Sequence, residues 1–300
     1  MKLGLSQSLG LFVGSLALAS CAGSGISEPA LGGIPIVMET HELVLPLDAY
    51  LYSPGQYLSV QRAAWQLTRE CVERFGDEYT VSEPTVEGGV LEPFLFGNQR
   101  RYGLFDAESA AEHGYHVAEE LFQGGGKGGW SPSQAELVLV RGSSGSSKPT
   151  DQTGQLLPDG GCGAEADRIL DSGGPGPDQA ADFGLPGSLA TESHERSESD
   201  SRVRDVVDQW SECMERRGYD YGNVWEPNNQ NWPEPVGEEE IAVATSDVAC
   251  KQEVNLLGVW LAVETAYQKG AIQEHATELN PLRAKVATEA ANAAQILDGE

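Results

Sequence analysis

Glu70-Cys71-Val72-Glu73-Arg74-Phe75-Gly76 and Glu212-Cys213-Met214-Glu215-Arg216-Arg217-Gly218 are the stretches that decide the fold. Five of seven positions are identical, and Tyr79 and Tyr221 follow at the same offset. A second pair echoes it: Asp159, Cys162, Glu165 and Ile169 have the spacing of Asp247, Cys250, Glu253 and Leu257. The two types alternate along the chain, which implies two related units. If each unit closes its own bridge, the pairs are Cys71–Cys162 and Cys213–Cys250. An even number of cysteines outside the membrane suits such a framework. Chain entropy would give each bridge roughly 4 kcal/mol. A zinc site is the competing use of these cysteines, but CxxC and HExxH are both absent.

The context of each first cysteine is helical. Ser59 to Phe75 carries Val60, Ala63, Ala64, Leu67 and Cys71 at helical spacing, with Gly76 as a C′ stop. Arg202 to Arg217 repeats the plan with Val203, Val206, Val207, Trp210, Cys213 and Met214, closed by Gly218. The second cysteines sit on further helices. If the helices of each pair cross antiparallel, Arg74 faces Asp159 and Arg216 faces Asp247. The alternative is that these charges are simply solvated.

Further along, Asp106 is a candidate N-cap for a helix through Glu112, and Ser131 with Pro132 and Gln134 marks one through about Val140. Residues 36–52 are apolar and proline-broken, and are expected to lie over the core as an extended segment. Glu238-Glu239-Glu240 opens a helix expected to run to about Leu279, its three acids suiting the macrodipole rather than a metal. Pro281 kinks or restarts it, and Leu282, Val286, Ala290, Ala293 and Leu297 form one stripe. Strand signals are weak. The expected class is mostly α: two related disulfide-stapled helical units with long Gly/Pro-rich loops and little or no β. The first, looser unit is 36–198 and the second, compact unit 199–300.

The N-terminus gives an address. After Met1-Lys2, Leu3 to Ala19 is apolar and the length of a signal h-region, and it ends in Leu18-Ala19-Ser20-Cys21, the lipobox pattern. Residues 1–20 then read as a signal peptide, Cys21 as a lipid anchor, and 21–35 as a flexible, Gly-rich tether. The alternative is an ordinary secretory signal. Two or three acyl chains would anchor stably, where one is marginal. The expected place is extracytoplasmic, tied to the cell membrane through Cys21.

Charge excludes other partners. The chain has 300 residues, 19 basic and 46 acidic, for a formal charge of −27. A nucleic-acid partner would need a basic face.

Enzyme signals are thin: GxSxG and SxxK are both missing. Neither a cofactor nor a metal site is expected. His113 and His116 are three apart, but Gly114 breaks the helix between them. His194 and His275 stand alone in polar surroundings. Glu253 and Glu264 are candidate buried helix carboxylates. Burial would raise the Glu264 pKa toward a general acid, and the stronger reading is a structural ion pair with an arginine. The loop from Tyr219 to Pro235 mixes Tyr219, Tyr221, Trp225 and Trp232 with amides, as glycan sites do. The plainer reading pins that loop to the helices through Trp225 and Trp232.

Leu18-Ala19-Ser20-Cys21, Arg100-Arg101-Tyr102-Gly103-Leu104, His113-Gly114-Tyr115-His116, Gly161-Cys162-Gly163-Ala164-Glu165-Ala166, Trp210-Ser211-Glu212-Cys213-Met214 with Gly218-Tyr219, Asp247 to Gln252 and Trp260 to Glu264 together span most of the chain. In these pieces the chain resembles a lipoprotein family of high-GC Gram-positive bacteria. The resemblance implies an exported lipoprotein and carries no catalytic assignment. Some relatives in that family accompany export-type ABC transporters and peptidoglycan-binding adaptors, which hints at a partner. The expected role is a lipid-anchored binding or accessory protein without catalysis. The alternatives are an accessory subunit of an envelope ABC-type transporter and a cell-wall glycan hydrolase using carboxylates such as Glu264.

Overall fold

The structure is a computed structural model that describes residues 28–39, 43–86, 97–117, 131–142, 148–175 and 183–299. Cys21 and the rest of the signal-like segment lie outside them. Among the described residues ten α-helices follow a short 3-10 turn at Pro46–Tyr50: α1 Pro54–Arg74, α2 Ala107–His113, α3 Gln134–Arg141, α4 Gly161–Leu170, α5 Gly184–Glu198, α6 Ser201–Arg216, α7 Trp225–Asn228, α8 Glu238–Glu253, α9 Leu256–Glu274 and α10 Ala276–Asp298. Among the described residues the only β features are two isolated bridges, Arg101 with Gly103 and Thr150 with Leu156.

The helix ends follow local chemistry. Ser53 and Gln56 form a capping box that starts α1 earlier than the apolar spacing alone suggests. Gly76 and Gly218 follow α1 and α6 with φ of +79° and +93°, the left-handed stop expected of a C′ glycine. Asp106 caps α2 through Ser109 N. For α3 the cap is Ser133, bonded to Glu136 N, rather than Ser131, so the helix opens two residues late. The long helix expected from Glu238 to Leu279 is broken twice. Asn255 adopts the left-handed conformation between α8 and α9, and His275 separates α9 from α10. Pro281 therefore lies inside α10 rather than at its start.

Both disulfides form as the repeat implies. Cys71–Cys162 staples α1 to α4 and Cys213–Cys250 staples α6 to α8, with Cα–Cα distances of 5.6 and 5.7 Å. The ion pairs beside them differ from expectation. Arg74 binds Glu165 at 2.7 Å and Arg216 binds Glu253 at 2.8 Å. Asp159 pairs instead with Lys148 at the surface. The residues that meet lie three positions after both cysteines, so the helices approach on the C-terminal side of each bridge instead of crossing antiparallel as drawn. The repeat symmetry survives with the glutamates in place of the aspartates. Glu253, a candidate buried carboxylate, is exposed.

Packing then mixes the two sequence units. One bundle joins α1, α3 and α4 to α10, which comes from the C-terminal end. The other joins α6, α8 and α9 to α2 and α5, which come from the first sequence unit. Residues 198 and 199 are thus not a seam. The 3-10 turn sits between the bundles, with Leu47 and Tyr50 against Leu189, Leu279 and Leu282. The largest core gathers Tyr102, Phe105, Trp210, Met214, Leu257 and Trp260. Each aromatic there removes about 150 Å² or more from water, which makes this second bundle the main hydrophobic store.

Part of the stretch expected as a flexible tether is held in place. Ser201 donates to Glu28 from its N–H at 2.7 Å and from its hydroxyl at 2.8 Å, Arg202 donates to Pro29 O at 2.9 Å, and Asn255 Nδ2 donates to Pro35 O at 2.8 Å. Asn255 thus breaks the helix and clasps the strap at once. Gly258 makes room, because a Cβ there would collide with the Pro35 carbonyl. Leu43, Leu45, Leu47 and Tyr50 are buried, so the apolar run beyond 36 covers the core as its composition implies.

Candidate functional site

The chemistry-bearing side chains converge where residues 97–117 press into the second bundle. The centre is Glu264 on α9, completely buried. Arg101 Nε donates to its two oxygens at 2.8 and 2.9 Å, and Arg101 Nη2 closes the pair. Tyr102 OH donates at 3.0 Å, Gln268 Nε2 at 2.8 Å, and His194 Nδ1 lies at 3.2 Å. Burial pushes this carboxyl up, but hydrogen bonds from His194 and Arg101 and the Arg101 charge outweigh it, holding it below the usual carboxylate range. The arginine-pair reading is therefore correct. The general-acid reading is overturned, since the group is ionised and saturated with donors.

His194 is not alone in polar surroundings. Its ring stacks on Trp260 at 5.6 Å and 3° and on Tyr102 at 5.9 Å. Trp225 meets it edge-on at 6.3 Å. Trp260 Nε1 donates to Ser197 Oγ at 2.8 Å, which fixes the indole under the imidazole.

A second buried centre lies one helix away. Asp247 accepts from Trp210 Nε1 at 2.9 Å, Tyr115 OH at 3.1 Å and Lys251 Nζ at 3.0 Å. Lys251 spends another proton on Leu104 O at 2.7 Å. Asp247 and Lys251 are both fully buried on one face of α8, four residues apart. Desolvation drives the carboxyl up and the ammonium down. Four hydrogen bonds keep the pair satisfied, as burial of charge demands.

Glu240 makes a third centre. It accepts from Tyr115 N at 2.8 Å and faces His116 Nδ1 at 2.9 Å. This acid, expected to serve only the helix dipole, is buried. Gly114 permits the contact: its φ is +59°, and a Cβ would overlap the Glu240 carboxyl. Arg100 binds the Tyr115 and His116 carbonyls at 2.8 and 3.1 Å. His113 and His116 do not share a ligand position. Among the described residues the one cluster close enough to hold a metal is Cys71, Cys162 and Glu165, whose sulfurs are committed to the disulfide.

The aromatic loop is pinned. Trp232 Nε1 donates to Pro227 O at 2.9 Å, and its ring stacks on Tyr115 at 5.8 Å and 7°. Trp225 Nε1 donates to Glu198 at 2.8 Å, and the ring meets Trp260 edge-on. Tyr221 OH donates to Gln230 at 3.1 Å, and Tyr219 packs on the core. What remains open is a groove of about 310 Å³ beside Trp225, bordered by Val207, Arg204, Asp208 and Asn223.

No family model, curated protein or solved structure matches this chain.

Glu264 and the aromatic loop are visible in the sequence, but the partners Arg101, Tyr102 and His194 of Glu264 and the separate Asp247–Lys251 pair are not. The i, i+4 spacing of Asp247 and Lys251 was a usable signal. Arg101 and Glu264 are 163 residues apart, and local pattern carries nothing about such a pairing.

Proposed function

We propose that the protein is an exported, lipid-anchored binding or accessory module at the outer face of the cytoplasmic membrane. The observation that carries this is the cysteine map. The two internal bridges use Cys71, Cys162, Cys213 and Cys250. They leave Cys21 alone behind Leu18-Ala19-Ser20. Stable disulfides suit an oxidising compartment. No helix among the described residues is long and apolar enough to cross a membrane, so attachment by lipid fits the pattern. The buried carboxylates Glu264 and Asp247 are engaged in holding loops and helices, and the groove beside Trp225 offers a place for a small ligand. A partner in an envelope transporter or adaptor, or a cell-wall glycan, belongs to the same reading.

Mass spectrometry of the membrane-extracted protein tests it. An N-terminal peptide beginning at diacylated Cys21, lost with Cys21→Ala together with membrane attachment, is the expected result. A mature chain that begins elsewhere, or a Cys21→Ala variant that stays membrane-bound, overturns the reading. Crosslinking in intact membranes followed by pull-down then asks for a permease or adaptor.

A further inference from the structure

Four of the nine large apolar side chains exposed among the described residues fall within eleven positions: Ile34 at 50%, Ile36 at 75%, Met38 at 52% and Val44 at 69%. The first three stand two residues apart, and Val37 between the last two is buried in the core. Single exposed aliphatics are ordinary, but a contiguous row marks an interaction surface. Next to the row, a groove of about 540 Å³ opens between the strap and α9, with Val44, Leu261 and Ala262 in its wall and the exposed Lys269 at its rim.

We infer that this face, Ile34, Ile36, Met38 and Val44 with the adjoining groove, rests on the phospholipid surface, its aliphatic side chains among the acyl chains. The inference builds on the lipid-anchor reading. Chain length argues for lipid as the occupant. Cys21 precedes Glu28 by seven residues, a span of at most about 25 Å when fully extended. Glu28 is fixed to Ser201 and Pro35 to Asn255, so the anchor holds this edge of the molecule close to the bilayer. Headgroup chemistry agrees, because a lysine on an apolar rim can reach phosphate while its stem covers hydrocarbon. In a chain with charge −27, deep electrostatic attachment is excluded, and insertion of uncharged aliphatics is the contact left to it.

The test uses the full-length, membrane-borne protein in vesicles of phosphatidylcholine that carries a diazirine in its acyl chain. Irradiation labels residues in contact with hydrocarbon, and peptide mapping reads the sites. Adducts on peptides spanning 29–44, several-fold above those on α1, α4 and α6, are expected. Ile34→Ser, Ile36→Ser and Val44→Thr combined should cut that signal several-fold, with Met38 the one member of the row left, and should leave melting unchanged, since all three side chains are exposed. Acylated Cys21 with 29–44 unlabelled overturns this inference and leaves the anchor standing. A Cys21 without lipid overturns both. Labelling that persists in the triple variant, or a dimer by sedimentation that buries the row, also overturns it.

Discussion

The two bridged helix pairs share a sequence frame and differ in what they bury. In both, a disulfide joins the helices and an Arg–Glu pair closes the outer edge. The inner edge diverges. Three residues before Cys213 stands Trp210, and three before Cys71 stands Thr68. One residue after Cys250 stands Lys251, and one after Cys162 stands Gly163. Asp247 has Asp159 as its counterpart, but Asp247 meets an indole N–H and a buried ammonium, whereas Asp159 meets only the exposed ammonium of Lys148, and only Asp247 is buried. The carboxylate three residues before the second cysteine is interior on α8 in one unit and solvated in the turn before α4 in the other. Its neighbours decide which, because burying a charge costs several kcal/mol unless donors replace the lost water.

The largest test of that contrast is Asp247→Ala against Asp159→Ala. Losing Asp247 strands the Lys251 ammonium and the Tyr115 and Trp210 donors, and urea unfolding should show a loss of about 3–5 kcal/mol. Asp159→Ala, which removes a solvated pair with Lys148, should leave the unfolding midpoint nearly unchanged. The double variant Asp247→Leu/Lys251→Met should recover part of the loss, because both charges leave together while the Tyr115 and Trp210 donors stay unpaired. Equal costs for the two aspartates would erase the distinction between the units.

Glu264 sharpens the contrast, because it ties residues 97–117 and α5 to the second bundle. Glu264→Gln keeps the shape but leaves the Arg101 charge half-buried and unpaired, at a cost of about 3 kcal/mol. The pH dependence has a definite sign. The folded carboxyl lies below its unfolded value of about 4.3. Its stabilisation is therefore fully present above that value and is lost as pH falls through the lower, folded value. Acid unfolding of the native protein should steepen below about pH 4, and Glu264→Gln should flatten that limb.

Much of the frame was legible locally. Helix spacing, the glycines after α1 and α6, and the alternation of the two cysteine types carried the class and both bridges. The buried centres were not, for a physical reason. Arg101, Tyr102 and Tyr115 reach their carboxylates across 163, 162 and 132 residues, and a loop's hydrogen bonds are set by what it is folded against. The exchange of α10 and α5 between bundles is equally invisible to periodicity, since an apolar stripe states that a helix is covered and not by which partner. The Arg–Asp expectation failed for a related reason: the cysteine spacing fixes which helices meet but not the direction in which they approach.

Gly161 is where the first unit has a device the second lacks. It precedes Cys162 with φ +80°, and a Cβ would press on the backbone of Gly142 and Leu139. The matching position before Cys250 is Ala249, inside a regular helix. Gly161→Ala should therefore cost about 2 kcal/mol, from left-handed strain and the displaced α3. Ala249→Gly, which only adds chain freedom, should cost about 1 kcal/mol or less. Thermal melting of the two variants gives the ranking, and a milder effect at Gly161 would show that α3 yields easily.

The smallest effect belongs to the feature the units share most closely. Arg74 and Arg216 each close the outer edge of a bridge, and both pairs are water-exposed. Their side chains keep 43% and 58% of their surface, and the partners Glu165 and Glu253 keep 24% and 50%. Exposed pairs contribute roughly 0.2–1 kcal/mol, and less where water competes more. Arg74→Ala should therefore lie toward the upper end of that range and Arg216→Ala toward the lower, where Arg217, 3.6 Å from Glu253, can also take over. Repeating the unfolding at high salt should shrink both values, because screening acts fully on solvated charges. If Arg216→Ala instead cost as much as Asp247→Ala, the outer edge would be part of the buried centre, and the division between shared frame and private interior would have to be redrawn around Glu253.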